Sequence, residues 1–279
     1  MLCSDEEYAE QLVSPMQTPT TTTHCNTCRL RDLCMPMGLS SQQMSLIDRM
    51  VSTRVRVSRG QVLFRAGSTF KSLYVVRTGF FKTTVSTADG REQVSGFYMG
   101  GELMGLDGIG QAKYVCTAVA LEDSDVCVLH MEELNTLSQT IPELQWHVQK
   151  IMSREIVRDH DLFFLLGSMR AEGRIASFLL NLLTRLHARG QSGDTLRLRM
   201  TREDIGSYLG LTLETVSRTL SKLVRNGVIR LQLKEVCILD MPALHQLSQH
   251  SDDSDCMHHP LLITRPAKKS QAAKGMQVA

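Results

Sequence analysis

The sequence predicts an α+β fold: an N-terminal domain of short strands, one long helix, and a C-terminal domain built on two short helices. Three observations support this prediction. Glycine-containing turns recur between residues 59 and 101, a helical pattern without internal Gly or Pro runs from residue 142 to 166, and two further helical segments lie between residues 201 and 225. At 279 residues the chain exceeds the usual size of one domain, so we expect two domains with tails.

Composition argues against a membrane-spanning protein and against a secreted one. Hydrophobic residues make up 42% of the chain but occur in short runs, none near the roughly 20 residues that a membrane span needs. The first residues, MLCSDEEYAEQL, are acidic where an export signal would be basic and then apolar, which predicts a cytoplasmic protein. Eight cysteines in a reducing compartment favour metal binding or redox chemistry over disulfides.

The two ends of the chain are expected to lie outside the folded part. Residues 1–23 include the run SPMQTPTTTT, which has almost nothing to bury and predicts a flexible segment. Residues 251–279 show no sustained period and end in small and basic residues, which predicts a disordered tail.

Three cysteines lie within the eleven residues HCNTCRLRDLC that open the folded part. Cys25, Cys28 and Cys34 have the spacing C-x2-C-x5-C. Thiolates are soft anionic ligands, and close spacing lets one loop wrap a metal centre. Zinc and an iron–sulfur cluster both take four cysteines, so the spacing alone leaves both open.

Residues 24–140 are predicted to contain this cysteine loop and a β domain. Apolar and β-branched runs alternate with turn signals such as Thr78-Gly79 and Asp89-Gly90, at the spacing of an all-β barrel or roll. The predicted strands are residues 62–65, 73–77, 80–85, 93–97, 115–120 and 126–129.

Residues 141–169 are predicted to form a helix on which two copies of the chain pair. Its apolar residues recur at spacings of three and four: Leu144, Val148, Ile151, Leu162 and Leu165. Such a helix is about 37 Å long, too long for one small β domain to cover. Glu155, Arg158 and Asp159 interrupt the stripe, so we expect a homodimer that is weak by itself.

Residues 170–250 are predicted to form a winged helix-turn-helix domain, following a helix near residues 174–188. Thr201 is a plausible N-cap of one helix, Gly210 ends it, and Thr212 can cap the next. The second helix has an apolar face consisting of Leu213, Val216, Leu220 and Leu223. Residues 228–239 alternate as a β-hairpin wing does.

The polar face of the second helix predicts binding to double-stranded DNA. Arg218 can bond bidentately to guanine, Glu214 can accept from cytosine, and Ser217 can make an adaptable contact, with Thr212 and Ser221 beside them. Residues 197–234 contain eight basic and three acidic side chains, a net charge of +5 against +2 for the whole chain. Positive charge is therefore concentrated where phosphates would lie.

These features resemble the CRP/FNR family of bacterial transcription regulators over roughly residues 24–250, and most closely its oxygen-responsive FNR branch. The segments KSLYVVRTGFFK, GELMGLDGIG and MTREDIGSYLGLTLETVSRTL carry the resemblance. It implies a β-roll similar to a cyclic-nucleotide-binding jelly roll, a dimerisation helix and a winged helix-turn-helix domain. It also implies a regulator rather than an enzyme, and no nucleophile or nucleotide-loop motif argues otherwise.

The resemblance implies a 4Fe-4S cluster whose ligands are Cys25, Cys28, Cys34 and, in the β-roll, Cys127. Cys116 is interpreted instead as a small hydrophobic residue on a strand. Cys3, Cys237, Cys256 and His24 are not expected to be ligands. The alternative is a zinc-bound or metal-free regulator that responds to another small ligand.

From these parts we hypothesise that oxygen controls dimerisation, with Ile151, Arg158, Asp159 and Leu162 as the dimer switch, and the resemblance implies how such a dimer acts. The dimer would bind palindromic TTGAT-type half-sites, control genes of anaerobic metabolism, and contact RNA polymerase through loops at Thr78-Gly79 and Asp89-Gly90. In the related CRP branch a cyclic nucleotide binds through a Gly-Glu segment and an Arg-Ser pair. Gly101-Glu102 is present here, but Tyr114-Val115 stands at the Arg-Ser place, so no cyclic nucleotide is expected.

Overall fold

The computed structural model of the protein describes residues 25–51, 53–87 and 89–249. Both predicted tails, residues 1–23 and 251–279, lie outside this part of the chain, as do His24, Cys3 and Cys256. None of the helices among the described residues is both long and apolar enough to cross a membrane.

The N-terminal domain is a β-roll of two four-stranded antiparallel sheets. One sheet has the order β1-β8-β3-β6 and the other the order β2-β7-β4-β5. All six predicted strands are confirmed, and two short ones join them at Arg54 and Leu103. The bounds are β1 Arg54–Val57, β2 Val62–Phe64, β3 Ser72–Thr78, β4 Phe80–Ser86, β5 Glu92–Met99, β6 Leu103–Met104, β7 Thr117–Ala120 and β8 Ser124–His130.

Three helices and a short 3-10 turn cover one end of the β-roll. They are α1 Arg31–Cys34, α2 Ser41–Met50, α3 Met131–Thr140 and the 3-10 turn Cys25–Thr27. Ser40 begins α2 with a capping box, because its hydroxyl accepts from Gln43 N and the Gln43 side chain accepts from Ser40 N. Met44, Ile47 and Met50 are the buried face of α2. They belong to a core cluster that also contains Cys25 of the cysteine loop and Leu73 of the roll. The helix α2 therefore holds the cysteine loop against the roll.

The long helix α4 spans Pro142–Ser168, which confirms the predicted helix. Part of its predicted pairing stripe is covered within the protomer. Leu144, Val148 and Ile151 pack inside the protomer, in the same core cluster as α2 and α3. The first half of the helix lies against α3, and Leu144 is buried while Val148 and Ile151 stay partly exposed. The exposed apolar side chains of α4 are Trp146, Met152, Ile156, Val157, Phe163 and Phe164.

The C-terminal domain is a winged helix-turn-helix. Its elements are α5 Ala171–His187, β9 Thr195–Arg197, α6 Arg202–Leu209, α7 Leu213–Arg225, β10 Ile229–Gln232, β11 Glu235–Ile238 and α8 Met241–Leu247. The predicted hairpin is confirmed as β10 and β11, and β9 pairs with β11 to make a three-stranded sheet. The apolar face of α7 is confirmed at Val216, Leu220 and Leu223. Leu213 was wrongly assigned to it, because this first residue of the helix is 52% exposed at the edge of the core.

The roll and the C-terminal domain share one apolar core. Phe80 and Phe97 of the second sheet lie in the same buried cluster as Phe178 of α5. Tyr208 of α6 completes an aromatic group, with its ring centroid 5.2 Å from that of Phe97 and 6.0 Å from that of Phe178. The orientation of the C-terminal domain is therefore fixed by contacts with the roll as well as by α4.

Candidate metal centre and nucleic-acid interface

Four cysteines line one cavity between the N-terminal loop and the first sheet of the roll. They are the residues that the resemblance implied as ligands: Cys25, Cys28, Cys34 and Cys127. The rest of the wall is apolar except for Arg54 and Arg77. All four thiols are free of disulfides. The fold thus brings a residue of β8 to a loop that lies some ninety positions earlier in the chain.

Local hydrogen bonds position the loop. The backbone N of Cys25 donates to Asp48 Oδ1 of α2 at 2.5 Å, and the Cys34 thiol donates to the carbonyl of Leu30 at 3.1 Å. Cys127 lies in the middle of the sheet, paired with Arg54 of β1 on one side and with Val75 of β3 on the other. Its position is therefore rigid, whereas the other three cysteines depend on the packing of α2.

The electrostatics of the cavity oppose free thiolates. Burial raises the pKa of both Cys25 and Cys34 to about 12, and repulsion from neighbouring cysteines and acidic groups contributes further. Burial also raises the pKa of Cys127, although the charges of Arg54 and Arg77 oppose this shift. Thiolates here need a bound cation, because a coordinated metal deprotonates a thiol that burial would keep protonated.

The donor set fits an iron–sulfur cluster. Four cysteines line one largely apolar cavity, and the guanidinium groups of Arg54 and Arg77 in its wall would offset the negative charge of a thiolate-bound cluster.

The other described cysteines lie apart from this cavity. Cys116 packs against the apolar interior of the roll, and its backbone N donates to Asp107 Oδ2 at 2.9 Å. Burial raises its pKa, with Asp107 contributing to the shift. Cys237 lies on β11 in the wing sheet. Cys116 therefore packs as the predicted small hydrophobic residue, but it lies in a bend just before β7 and not on the strand itself.

The helix-turn-helix is built by the predicted caps. Thr201 and Asp204 form a capping box at the start of α6, and Gly210 ends the helix in the left-handed region at φ 62°. A side chain at Gly206 would collide with the carbonyl of Leu211, so the turn can approach α6 closely only because that residue is glycine. Thr212 then begins α7 by accepting from Thr215 N.

The predicted DNA-contacting side chains lie along one outward face of α7. Arg218 is 82% exposed and Glu214 76% exposed, and they form an ion pair of 3.1 Å one helical turn apart. Ser217 accepts from Arg202 of α6 at 3.1 Å, and the Ser221 hydroxyl donates to the carbonyl of Ser217 at 2.9 Å. Thr212 and Ser221 are exposed as well. The face is therefore polar, uncovered and accessible to a DNA groove.

The interior of the roll is filled by aromatic rings. The ring of Tyr114 stacks on Phe64 with centroids 4.2 Å apart and meets the edge of Phe70 at 5.3 Å. Its hydroxyl donates to the carbonyl of Ser72 at 2.7 Å. The aromatic residue that replaces the Arg-Ser pair of the CRP branch is thus a core residue.

The four residues of the predicted dimer switch lie in different surroundings. Asp159 is exposed, whereas Ile151 and Leu162 are partly buried. Arg158 points toward its own roll, where it pairs with Glu155 and places its guanidinium 4.7 Å from the ring centroid of Tyr98. Among these four residues, Asp159 is the one on the uncovered surface of α4.

Two residues that join the domains were not identified as connections from the sequence. Glu102 accepts from Arg185 and Arg189 of the C-terminal domain, and Arg174 donates to the carbonyls that end α4 and α6, Leu166 and Leu209. Gly101 and Glu102 form a turn, in which Glu102 N donates to the carbonyl of Met99. The arginines that bind Glu102 lie more than 80 positions further along the chain. The Gly-Glu motif was therefore the only signal in the sequence that pointed to Glu102.

Comparison with known proteins agrees with this architecture. Residues 54–140 match the cyclic nucleotide-binding domain family and residues 173–247 the Crp-like helix-turn-helix domain family. The transcriptional regulatory protein btr of Bordetella pertussis is 45% identical over 224 residues, covering 80% of this chain and 93% of that protein. The fumarate and nitrate reduction regulatory protein of Escherichia coli K12 is 40% identical over 228 residues, covering 82% and 91%.

A solved structure shares the fold. FixK2 from Bradyrhizobium japonicum is 28% identical and aligns with a TM-score of 0.66 over 71% of this chain and 98% of that one. Three findings identify the chain: a DNA-binding helix-turn-helix, a β-roll of the cyclic-nucleotide-binding type, and relatives at 40% identity or more. The protein is a transcription regulator and not an enzyme. It belongs to the CRP/FNR family.

Proposed function

We propose that this regulator is oxygen-responsive and binds a 4Fe-4S cluster through Cys25, Cys28, Cys34 and Cys127. The observation that carries the proposal is the single cavity lined by these four thiols, in a chain that also presents an uncovered recognition helix. The name of the Escherichia coli relative, which refers to fumarate and nitrate reduction, supports control of genes for anaerobic metabolism.

The residues of this chain bind the cluster and orient the loop that contains three of its ligands. When bound, the cluster supplies a centre that reacts with oxygen. A cysteine loop that the cluster ties to Cys127 stays packed against β8 and α2. The buried apolar cluster around α2 also includes Ile151 of α4, which connects the loop to the long helix. The homodimer forms on the exposed apolar face of α4, where Met152, Ile156 and Phe163 surround Asp159.

A dimer brings two copies of α7 to DNA at once. Each recognition helix would read one half-site of TTGAT type, with Arg218 on guanine and Glu214 on cytosine. A monomer loses most of this combined affinity, so control of pairing is control of DNA binding. Contact with RNA polymerase is assigned to the loops at Thr78-Gly79 and Asp89-Gly90, and the regulator acts in the cytoplasm.

The proposal includes no cyclic nucleotide. Tyr114 fills the roll where a cyclic phosphate would require a cation, and the carboxylate of Glu102 is bound by arginines of the other domain. Neither residue is then free to bind a nucleotide phosphate or ribose.

The proposal is tested by purifying the full chain anaerobically and counting iron, acid-labile sulfide and zinc. We expect four iron and four sulfide per chain, within the error of the assay, and a broad visible absorbance that bleaches in air. Sedimentation should show dimers converting to monomers over the same exposure. Stoichiometric zinc, or a colourless protein that binds its operator equally well in air, would refute the oxygen response and leave the DNA-binding function intact.

A further inference from the structure

The turn formed by Gly100, Gly101 and Glu102 lies between the cysteine loop and the C-terminal domain. It connects β5 to β6, and backbone hydrogen bonds fix it to β3: Gly101 N donates to Val76 O at 2.7 Å and Val76 N donates to Glu102 O at 2.9 Å. Val76 itself lines the cavity of the four cysteines. The turn is therefore attached to the wall of the candidate metal centre.

One side of this turn is in close contact with the cysteine loop. A Cβ atom at Gly101 would lie 3.0 Å from the Cβ of Leu33, and one at Gly100 would lie 3.2 Å from Cδ1 of Leu30. Gly101 also has φ 85°, a conformation that favours glycine. Leu30 and Leu33 lie between Cys28 and Cys34 in the chain, so a movement of the loop moves the residues that touch the turn.

The other side of the turn binds the C-terminal domain through charge. Arg185 donates from Nε to Glu102 Oε1 at 2.9 Å and from Nη2 to Oε2 at 2.5 Å, and Arg189 donates to Oε1 at 2.6 Å. Both arginines also donate to backbone carbonyls of the roll, those of Phe97 and Gly100. The Glu102 side chain is only 16% exposed, so this contact is little screened by water.

Further polar contacts cross the same boundary. Lys82 of β4 binds Asp204 of α6 at 2.6 Å, and Val94 N of β5 donates to the Ser207 hydroxyl at 2.8 Å. Glu122, in the turn before β8, binds Arg199 at 2.8 Å. These contacts hold α6, which packs against α7, on the second sheet of the roll.

We propose that the turn Gly100-Gly101-Glu102 transmits the state of the cysteine loop to the DNA-binding domain of the same protomer, with Glu102 as the positioning residue. This route rests on the proposed function for its signal, but it is separate from dimerisation through α4. When the cysteine loop is held in place by the cluster, the turn holds Arg185 and Arg189. The helix α7 is then already oriented before DNA binds. With the loop released, the domain samples other orientations, and DNA must select the competent one at a cost in affinity.

The test is the full chain carrying Glu102→Gln, which keeps the shape of the side chain and removes its charge. With iron and sulfide content and the sedimentation coefficient unchanged, we expect roughly tenfold weaker binding to a duplex with two TTGAT half-sites. We also expect faster amide exchange in α5 and α6, but not in α2. Glu92→Gln, a matched change at an exposed position of β5, should leave affinity and exchange at wild-type values.

Arg189→Gln removes the same contact from the other domain and should reproduce both effects if Glu102→Gln is too unstable to purify. Wild-type affinity and exchange in either purified variant would overturn the proposal. In the wild-type chain, exchange of α5 and α6 should also increase when the cluster is removed, and no change there would overturn the transmission. If the wild-type chain contains no iron or sulfide, the proposed function fails instead, and the exchange of α6 in Glu102→Gln still decides the positioning role.

Discussion

Cys116 and Cys127 show how the surroundings of a residue decide its chemistry. Both are partly buried cysteines of the roll, and burial raises the pKa of both thiols. Cys116 faces the apolar interior of the roll, whereas Cys127 faces the cavity where three other thiols and two arginines converge. Their places in the fold make this difference: Cys127 is on β8 of the first sheet, beside the cysteine loop, whereas Cys116 precedes β7 of the second sheet.

Replacing Cys127 with Ser should therefore abolish cluster binding, because the harder oxygen removes the one rigid ligand of the four. The measurement is the iron and sulfide content of anaerobically purified protein. Cys116→Ser is the matched control and should keep wild-type content. Loss of iron in Cys116→Ser with retention in Cys127→Ser would reverse the assignment of the fourth ligand.

Arg218→Ala should relax discrimination at the guanine that Arg218 contacts and reduce operator affinity by roughly 1 to 3 kcal/mol. The physical reason is the bidentate bond, which only guanine supports at that position. Fluorescence anisotropy with operator variants at each base measures the effect. Arg225→Ala, at the end of the same helix, should weaken all sequences alike. Uniform weakening by Arg218→Ala would identify that residue as a phosphate contact.

At the scale of elements, α2 is the support of the cysteine loop. Ile47 is completely buried in the cluster that joins α2 to the roll, and the neighbouring Asp48 binds the backbone of Cys25. Ile47→Ala should lower the free energy of unfolding by about 2 to 5 kcal/mol through lost burial and a cavity. Urea denaturation measures the change, with exposed Gln42→Ala as control. A change below 1 kcal/mol would mean that α2 is not packed as described.

The helix α4 has two different faces, and the proposed dimer forms on its outer, exposed face. Two Asp159 carboxylates brought to about 4 Å across a two-fold axis repel by about 1 to 4 kcal/mol, depending on the effective dielectric. Asp159→Ala should therefore stay dimeric in air, as measured by sedimentation. Asp161→Ala removes an equal charge from a partly buried position two residues away and should remain monomeric in air. A monomeric Asp159→Ala protein in air would end this account of the switch.

At the scale of the whole molecule, buried ion pairs connect the roll to the DNA-binding domain. Burial alone would raise the pKa of Glu102, but Arg185 and Arg189 overcome this and hold it below its ordinary value of 4.5. The pKa of Asp204 is likewise lowered despite burial, by hydrogen bonds from Lys82 and Thr201. Carboxylates with lowered folded-state pKa stabilise the native state above their unfolded pKa, and this stability is lost as pH falls through the folded value.

The contact between domains should consequently weaken below about pH 4.5 and be insensitive to pH between 6 and 8 as far as these two carboxylates are concerned. Urea unfolding at pH 7 and pH 4 would show a loss of stability on acidification. Glu102→Gln should lose less over the same interval, since one of the two carboxylates is gone. An equal loss in the variant and the wild type would exclude Glu102 as a source of the acid sensitivity.

The sequence by itself determined the architecture and the DNA-binding helix. Period-two and helical patterns, caps at Thr201 and Thr212, and Gly210 between them are local signals, and local backbone geometry depends on them directly. The cysteine spacing indicated a metal centre in the same way. Four ligands could be named only with the help of a family resemblance, since spacing alone left zinc and iron–sulfur open.

Only the tertiary structure decided which surfaces are covered. The stripe at Leu144, Val148 and Ile151 had the period of a pairing face, yet it packs on the protomer's own helices, because a period identifies a face but not its partner. The link from Glu102 to Arg185 joins positions 83 apart, and no local pattern encodes such a contact. Partners of this kind are set by how sheets and helices pack together in three dimensions.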